Sequence, residues 1–226
     1  MTGFIGVLML DTAFERVPGD AGHMGSYHMP ARARVVARAG SLDLVRDGLP
    51  DPLLIAGFCA AAQELEAEGA VAITSTCGFL VTVQDQIAAA VRVPVMVSAL
   101  SLFGVLRTAY GGRPIGILTA SAPSLGPLAQ QAAGIAQGEA RIAGMEDCVA
   151  FARAILVPKA EQGRIDQATI EAAVVAKAQA MLRATPDLAA FLLECGNLPP
   201  YAAAIRVATG RPVYSVLTAA RMLTDQ

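Results

Sequence analysis

Several residue types that usually announce a chemistry are scarce in this chain. Tryptophan is absent, histidine occurs only at His23 and His28, and lysine only at Lys159 and Lys177. Pyridoxal phosphate needs a Schiff-base lysine, and both lysines fall in or near the helical stretch Pro158 to Ala184, away from any strand end. No GxGxxG follows the first strand, so a nicotinamide or flavin cofactor is unsupported. No cofactor is therefore expected. The four cysteines, Cys59, Cys77, Cys148 and Cys195, are far apart and form no CxxC pair. That argues against zinc and, in a cytosolic chain, against a disulfide framework. Charge of one sign is also missing. The net charge is −2 with the signs interspersed, so nucleic acid and anionic membrane are not expected partners. No apolar run is long enough to cross a bilayer. The opening MTGFIGVLMLD lacks a basic n-region and reads as a buried strand and not a signal peptide. A cytoplasmic location is the default expectation.

What the chain does have is short apolar runs alternating with helix-like segments. Strands are expected at Phe4 to Leu10, Arg34 to Arg38, Ala70 to Ile73 and Val93 to Val97. A second series is expected at Pro114 to Leu118, Arg141 to Gly144, Leu188 to Leu193 and Val213 to Val216. Helices are expected over Pro52 to Glu68, Leu80 to Val91, Leu125 to Ala133, Asp166 to Ala184 and Pro199 to Ala208. This alternation indicates parallel sheets covered by helices on both faces. The two series read as one unit used twice. Each opens on a glycine-containing strand, FIGVLMLD and then RPIGILTA. Each has a third strand running into Cys-Gly, AVAITSTCG and then AAFLLECG. Cys77 stands as far from Pro94 as Cys195 does from Pro212, 17 residues in each case. The expected lobes are residues 1–98 plus 211–226, and residues 99–210.

In open α/β sheets ligands bind outside the carboxyl ends of the strands. Two such lobes facing one cleft set Cys77 and Cys195 on opposite sides of a small molecule. Moving a proton at carbon needs a base and an acid, and a thiol with an ordinary pKa near ~8.5 can be tuned to either role. A helix start behind each cysteine favours the thiolate. Its free N–H groups can hold a carboxylate, with Gly78 and Gly196 leaving room for the approach. Asp11 ends the first strand and is followed by Thr12; Thr119 and Ser121 stand in the corresponding place of the second repeat.

Plainer readings stand beside these. A lone cysteine is more often a small buried filler; the matched strand–Cys–Gly settings raise Cys77 and Cys195 above that, whereas Cys59 and Cys148 lack the context. Asp11 reads equally as a turn residue or helix cap. The loop PGDAGHMGSYHMP, with Asp20, His23 and His28, reads better as a mobile substrate lid than as a metal site. Glu146 and Asp147 read either as site groups or as solvated charges.

On the motifs MLDT, ITSTCGF, GILTAS and LLECGNLPPYAAAI, spread over nearly the whole length, the chain resembles the aspartate/glutamate/hydantoin racemase superfamily. The resemblance implies two pseudo-symmetric Rossmann-like lobes, each a parallel sheet flanked by helices, with the active site in the interlobe cleft. It implies that Cys77 and Cys195 are the acid/base pair and that no cofactor is used. It implies that Asp11 supports a thiol or contacts the substrate and that Thr12 helps to bind the carboxylate. It also implies that Ser75, Thr76, Gly78, Phe79, Gly196 and Asn197 line the substrate; a homodimer is suggested. Glutamate racemases usually carry Asn-Thr after the first cysteine and Thr-His after the second. Here Gly78-Phe79 and Gly196-Asn197 stand instead, leaving the substrate open and offering Phe79 as an apolar wall.

The leading expectation is a cofactor-independent racemase or epimerase, an isomerase, acting at the carbon alpha to the carboxylate of an amino acid or related small acid. One alternative is a cis–trans isomerase of a small dicarboxylate with Cys77 as nucleophile. Another is a non-catalytic protein that binds a small acid. Both cysteines together argue against an arylmalonate decarboxylase, which keeps a single one.

Overall fold

Residues 3–225 are described by a computed structural model. Seven strands run β1 (Phe4–Leu10), β2 (Ala31–Val36), β3 (Ala70–Ser75), β4 (Ile115–Thr119), β5 (Ala140–Gly144), β6 (Ala190–Leu193) and β7 (Val213–Ser215). The helices are α1 (Ser41–Leu44), α2 (Pro52–Ala67), α3 (Gln84–Ala89), α4 (Phe103–Ala109), α5 (Pro127–Ala132), α6 (Val149–Ile155), α7 (Gln167–Ala184), α8 (Ala202–Thr209) and α9 (Val216–Thr224). The strands form two all-parallel sheets, ordered β2-β1-β3 and β5-β4-β6-β7. In each sheet the first strand of the repeat lies between the second and the third. The two α/β lobes therefore share one plan, as the duplicated motifs implied.

Buried parallel strands must be apolar on both faces, and β1, β4 and β6 are almost wholly buried. Helix α2 starts where Asp51 accepts the Leu53 N–H at 2.8 Å and Pro52 occupies the first turn. It stops before Gly69, whose φ of +98° suits glycine. The lobes are joined by a continuous apolar seam: Ile115, Ile117 and Leu192 of the second sheet pack in one cluster with Leu8, Phe58 and Ile73 of the first. A second cluster around Phe151, Val174 and Phe191 fills the far side of the second lobe. Each such side chain contributes about 1.5–3 kcal/mol on burial.

Three expectations shift. The second strand lies at Ala31–Val36 and not Arg34–Arg38, because it is an edge strand whose arginines face out, Arg34 pairing with Glu64 at 3.1 Å. Val93 to Val97 makes only one bridge, Ile73 to Val95. Pro94 has no N–H to donate, and the Gln84 side chain takes the Val97 N–H and the Val95 carbonyl, each at 3.0 Å. Residues 211–226 divide between the lobes. β7 pairs with β6 in the four-stranded sheet, while α9 packs on β3. Among the described residues no helix is long and apolar enough to cross a membrane.

Candidate active site

Strand β3 ends at Ser75, and Cys77 caps the 3₁₀ turn Gly78–Val83 that follows. The Ser75 hydroxyl donates to the Val97 carbonyl at 2.6 Å and accepts the Cys77 N–H at 3.1 Å. Ser75 thus fixes the cysteine's backbone and does not face the substrate space. Strand β6 ends at Leu193, so Glu194, Cys195 and Gly196 leave the equivalent strand end of the second lobe. Cys195 is not directly capped by a helix, contrary to expectation; its thiol donates to Asn197 Oδ1 at 3.5 Å and a turn intervenes before Pro199.

The two strand ends cross in contact. A Cβ on Gly78 would lie 2.3 Å from the Glu194 carbonyl oxygen, and one on Gly196 would lie 2.4 Å from the Thr76 carbonyl oxygen. Each glycine makes room for the other lobe's backbone, not for a substrate carboxylate as the sequence suggested. The crossing places Cys77, Cys195, Thr76, Phe79, Glu194 and Asn197 around one cavity of about 20 Å³. That is close to the space of a single water, so a substrate of several carbons requires the walls to part. A larger groove of about 480 Å³ between β2 and α2 contains none of the cysteines.

The one guanidinium lining the cavity is Arg16. It bonds Asp20 at 3.0 Å and the Thr12 hydroxyl at 2.9 Å, and lies over the Phe14 ring at 4.3 Å. Asp20, only 2% exposed, also accepts from Asn197 Nδ2 at 2.6 Å. The glycine-rich loop is therefore a packed wall and not a free lid. The Ala21 N–H donates to the Gly196 carbonyl at 2.9 Å, and the Tyr27 hydroxyl to the Ala21 carbonyl at 2.7 Å. His28 turns away to Thr224, at 3.0 Å.

Glu194 is 1% exposed. Its Oε2 accepts from the Thr119 hydroxyl at 2.7 Å, while Oε1 has no hydrogen-bond partner among the described residues. Burial pushes its pKa up to about 7, against the pull of Thr119 and the Ala120 N–H. Burial and the Glu194 charge push Cys77 up to about 12; the N–H groups of Phe79 and Leu80, and Arg16, act the other way. Cys195 is also raised well above the usual thiol range, by burial first and then by Glu194, Cys77 and Asp20, with only the Asn197 N–H opposing.

Other expected site residues lie elsewhere. Asp11 does not line the cavity. It pairs with Lys159 across the lobes and accepts the Arg38 N–H at 3.2 Å, and the Lys159 bond holds its carboxyl below the usual range. Beside this pair, Gln162 accepts the Ala13 N–H at 2.8 Å and donates to the Ser41 hydroxyl at 3.2 Å. Ser41 borders both the cavity and the outer pocket containing Asp11 and Lys159, so this interlobe clasp stands at the cavity's edge. Thr12 acts through Arg16 and Thr119 through Glu194. Ser121 bonds Ser124 at 2.8 Å and does not line the cavity. Glu146 accepts the Ala122 N–H at 3.1 Å and Asp147 pairs with Lys177 at 2.7 Å.

Neither Arg16 nor Glu194 is named by the motif reading, and Asp20 is named only as part of the glycine-rich loop. Arg16 and Asp20 carry no local signal in a loop. Glu194 does: a charge at the end of the buried run Phe191–Leu193 is unusual enough to ask what it faces.

The fold is the one shared by the aspartate/glutamate/hydantoin racemase superfamily. Unliganded arylmalonate decarboxylase superposes with a TM-score of 0.62 at 18% identity, over 98% of this chain and 90% of that one. Allantoin racemase from Klebsiella pneumoniae does so with 0.63 at 13% identity, over 98% and 86%. A glutamate racemase isoform from Bacillus anthracis gives 0.55 at 13%, over 99% and 80%. No family model matches the chain. In sequence it is 31% identical over 223 residues to a dimethylsulfoniopropionate lyase of Durusdinium sp. clade D, covering 96% of this chain and 72% of that protein. It is also 31% identical over 224 residues to dimethylsulfoniopropionate lyase 7 of Emiliania huxleyi, covering 95% and 64%. The chain belongs to the family of these dimethylsulfoniopropionate lyases, and spans roughly half to three-quarters of their lengths. The expectation of a racemase or epimerase, and with it the isomerase class, is overturned by these relatives, which are lyases. The cis–trans isomerase alternative falls with it.

Proposed function

We propose that this chain is a cofactor-independent lyase that splits dimethylsulfoniopropionate, or a close analogue, by β-elimination. Two thiols and one guanidinium around a single buried cavity carry this reading; the relatives' names supply the substrate class. Arg16 takes the carboxylate and stabilises the negative charge that develops beside it. Cys77, as thiolate, removes a proton from the carbon next to the carboxylate. The C–H electron pair becomes the Cα=Cβ bond, and the Cβ–S⁺ bond breaks toward sulfur. Dimethyl sulfide leaves as a neutral molecule, acrylate remains, and the proton rests on Cys77 until solvent removes it.

A neutral leaving group needs no acid, so the two thiols need not be equivalent. Cys77 is the better base because two amides and Arg16 favour its thiolate, while Cys195 is surrounded by anions. A bound cationic substrate brings a further positive charge into the cavity and lowers the Cys77 pKa when the base is needed. Cys195 stays a thiol on Asn197 and closes the opposite wall. All four thiols are free, which fits a reducing, cytoplasmic setting. The test is direct: incubation with dimethylsulfoniopropionate releases dimethyl sulfide into the headspace and an equal amount of acrylate in solution. Absence of both products from the folded protein ends the reading.

A further inference from the structure

The cavity contains an anion that the elimination, as just described, does not use. We propose that Glu194 is the counter-ion of a cationic centre on the substrate's β-carbon, so that the site selects carboxylates bearing a sulfonium or quaternary ammonium group there. The inference deepens the lyase reading and rests on it for the placement of the carboxylate at Arg16.

The argument begins with the accounting of charge. Two carboxylates and one guanidinium line or border the cavity. Asp20 is already bonded to Arg16 and Asn197. Glu194 has one oxygen held by Thr119 and the other, Oε1, buried and unpartnered. An isolated buried carboxylate is unfavourable unless something positive faces it. That oxygen is also given its place by the backbone: a Cβ on Gly78 would lie 2.3 Å from Oε1. An onium group is the fitting occupant. Its methyl-covered charge has no N–H or O–H to satisfy, and Oε1 is the only acceptor that it needs. A second substrate carboxylate in that position would meet like charge instead.

Ionisation provides a handle. The charged or titratable groups around Glu194 are Cys77, Cys195, Arg16 and Asp20. Both thiols are held neutral near neutral pH by burial. Glu194, pushed up to about 7 by burial, loses its proton as pH rises through that range. Affinity for a cation beside it therefore increases with pH there, and affinity for an uncharged group of the same shape does not.

The experiment uses two non-reacting probes, 3-(trimethylammonio)propionate and its carbon isostere 4,4-dimethylpentanoate. Dissociation constants are measured by calorimetry at pH 6 and pH 8, for the wild type and for Glu194→Gln. The wild type at pH 8 is expected to bind the ammonium probe about tenfold or more tighter than the isostere, about 1.4 kcal/mol. That preference shrinks several-fold at pH 6 and falls to near unity in Glu194→Gln. An unchanged preference in Glu194→Gln, or no preference in the wild type at pH 8, overturns the inference. Should Glu194→Gln fail to fold, the wild-type pH comparison decides alone, and a preference flat between pH 6 and pH 8 overturns it. Release of dimethyl sulfide together with an unmoved preference refutes the role of Glu194 only. The expected preference without any release refutes the lyase reading and leaves the onium site standing.

Discussion

Cys77 and Cys195 end equivalent strands of two similar lobes, yet their surroundings differ in sign. Cys77 precedes a 3₁₀ turn whose Phe79 and Leu80 N–H groups, together with Arg16, favour its thiolate. Cys195 has one such N–H and faces Glu194 and Asp20. The repeated plan sets one thiol at each strand end; the loop carrying Arg16 and Asp20, and the lone Glu194, make them unequal. That inequality suits the proposed elimination, which removes a proton and returns none to carbon.

The largest effect that tests this inequality is on turnover. Cys77→Ala is expected to lower kcat for dimethyl sulfide release by about 10³-fold or more, at the upper part of the range for losing a general base. Cys195→Ala is expected to cost about 10-fold. Equal losses, or the reverse order, would show that the electrostatic ranking misassigns the base. Next comes Arg16→Met, which keeps much of the apolar stem over Phe14 but removes the charge. It should lower kcat/KM by about 10²-fold, the cost of one charge-assisted contact to a carboxylate. An unchanged KM and kcat would place the carboxylate elsewhere.

The crossing of the two strand ends, unlike the thiols, is symmetric. Gly78→Ala and Gly196→Ala each drive a Cβ into the opposite backbone and should each destabilise the fold by about 1–3 kcal/mol, measured by urea unfolding. One costly and one harmless substitution would mean that a single lobe can give way. The smallest effect is expected for Lys159→Ala. Its bond to Asp11 lies on a half-exposed surface and is expected to contribute less than about 1 kcal/mol in the same assay. A larger loss would make the clasp a structural joint between the lobes.

Much of the fold was legible because parallel strands buried on both faces leave uninterrupted apolar runs. Phe4–Leu10 stands out for that reason, and Ile115–Thr119 nearly so. The edge strand Ala31–Val36 was misplaced because its arginines interrupt the run, and the Val93–Val97 strand was overread because Gln84 and Pro94 divert its backbone bonds. Cys77 and Cys195 stood out through the repeated Cys-Gly ending, and both line one cavity. Asp11 was assigned to the site on its strand-end position, but the pairing that fixes it comes from Lys159, 148 residues away. Arg16 and Asp20 depend on a loop whose path no local pattern specifies. The racemase expectation, overturned by relatives that are lyases, had no safeguard in the sequence, because thiols flanking a carbon beside a carboxylate suit proton return and the proposed β-elimination alike; what separates them is the substituent on the next carbon.

The last fourteen residues described, 212–225, have a consequence for how this molecule can be divided. They lay an edge on one sheet with β7 and a cover on the other with α9. Dividing the chain between its two repeats would therefore leave the amino-terminal product with a bare apolar flank, and hand its missing piece to the other product. Neither fragment inherits a complete interior. The two repeats are held to one another by this single shared segment.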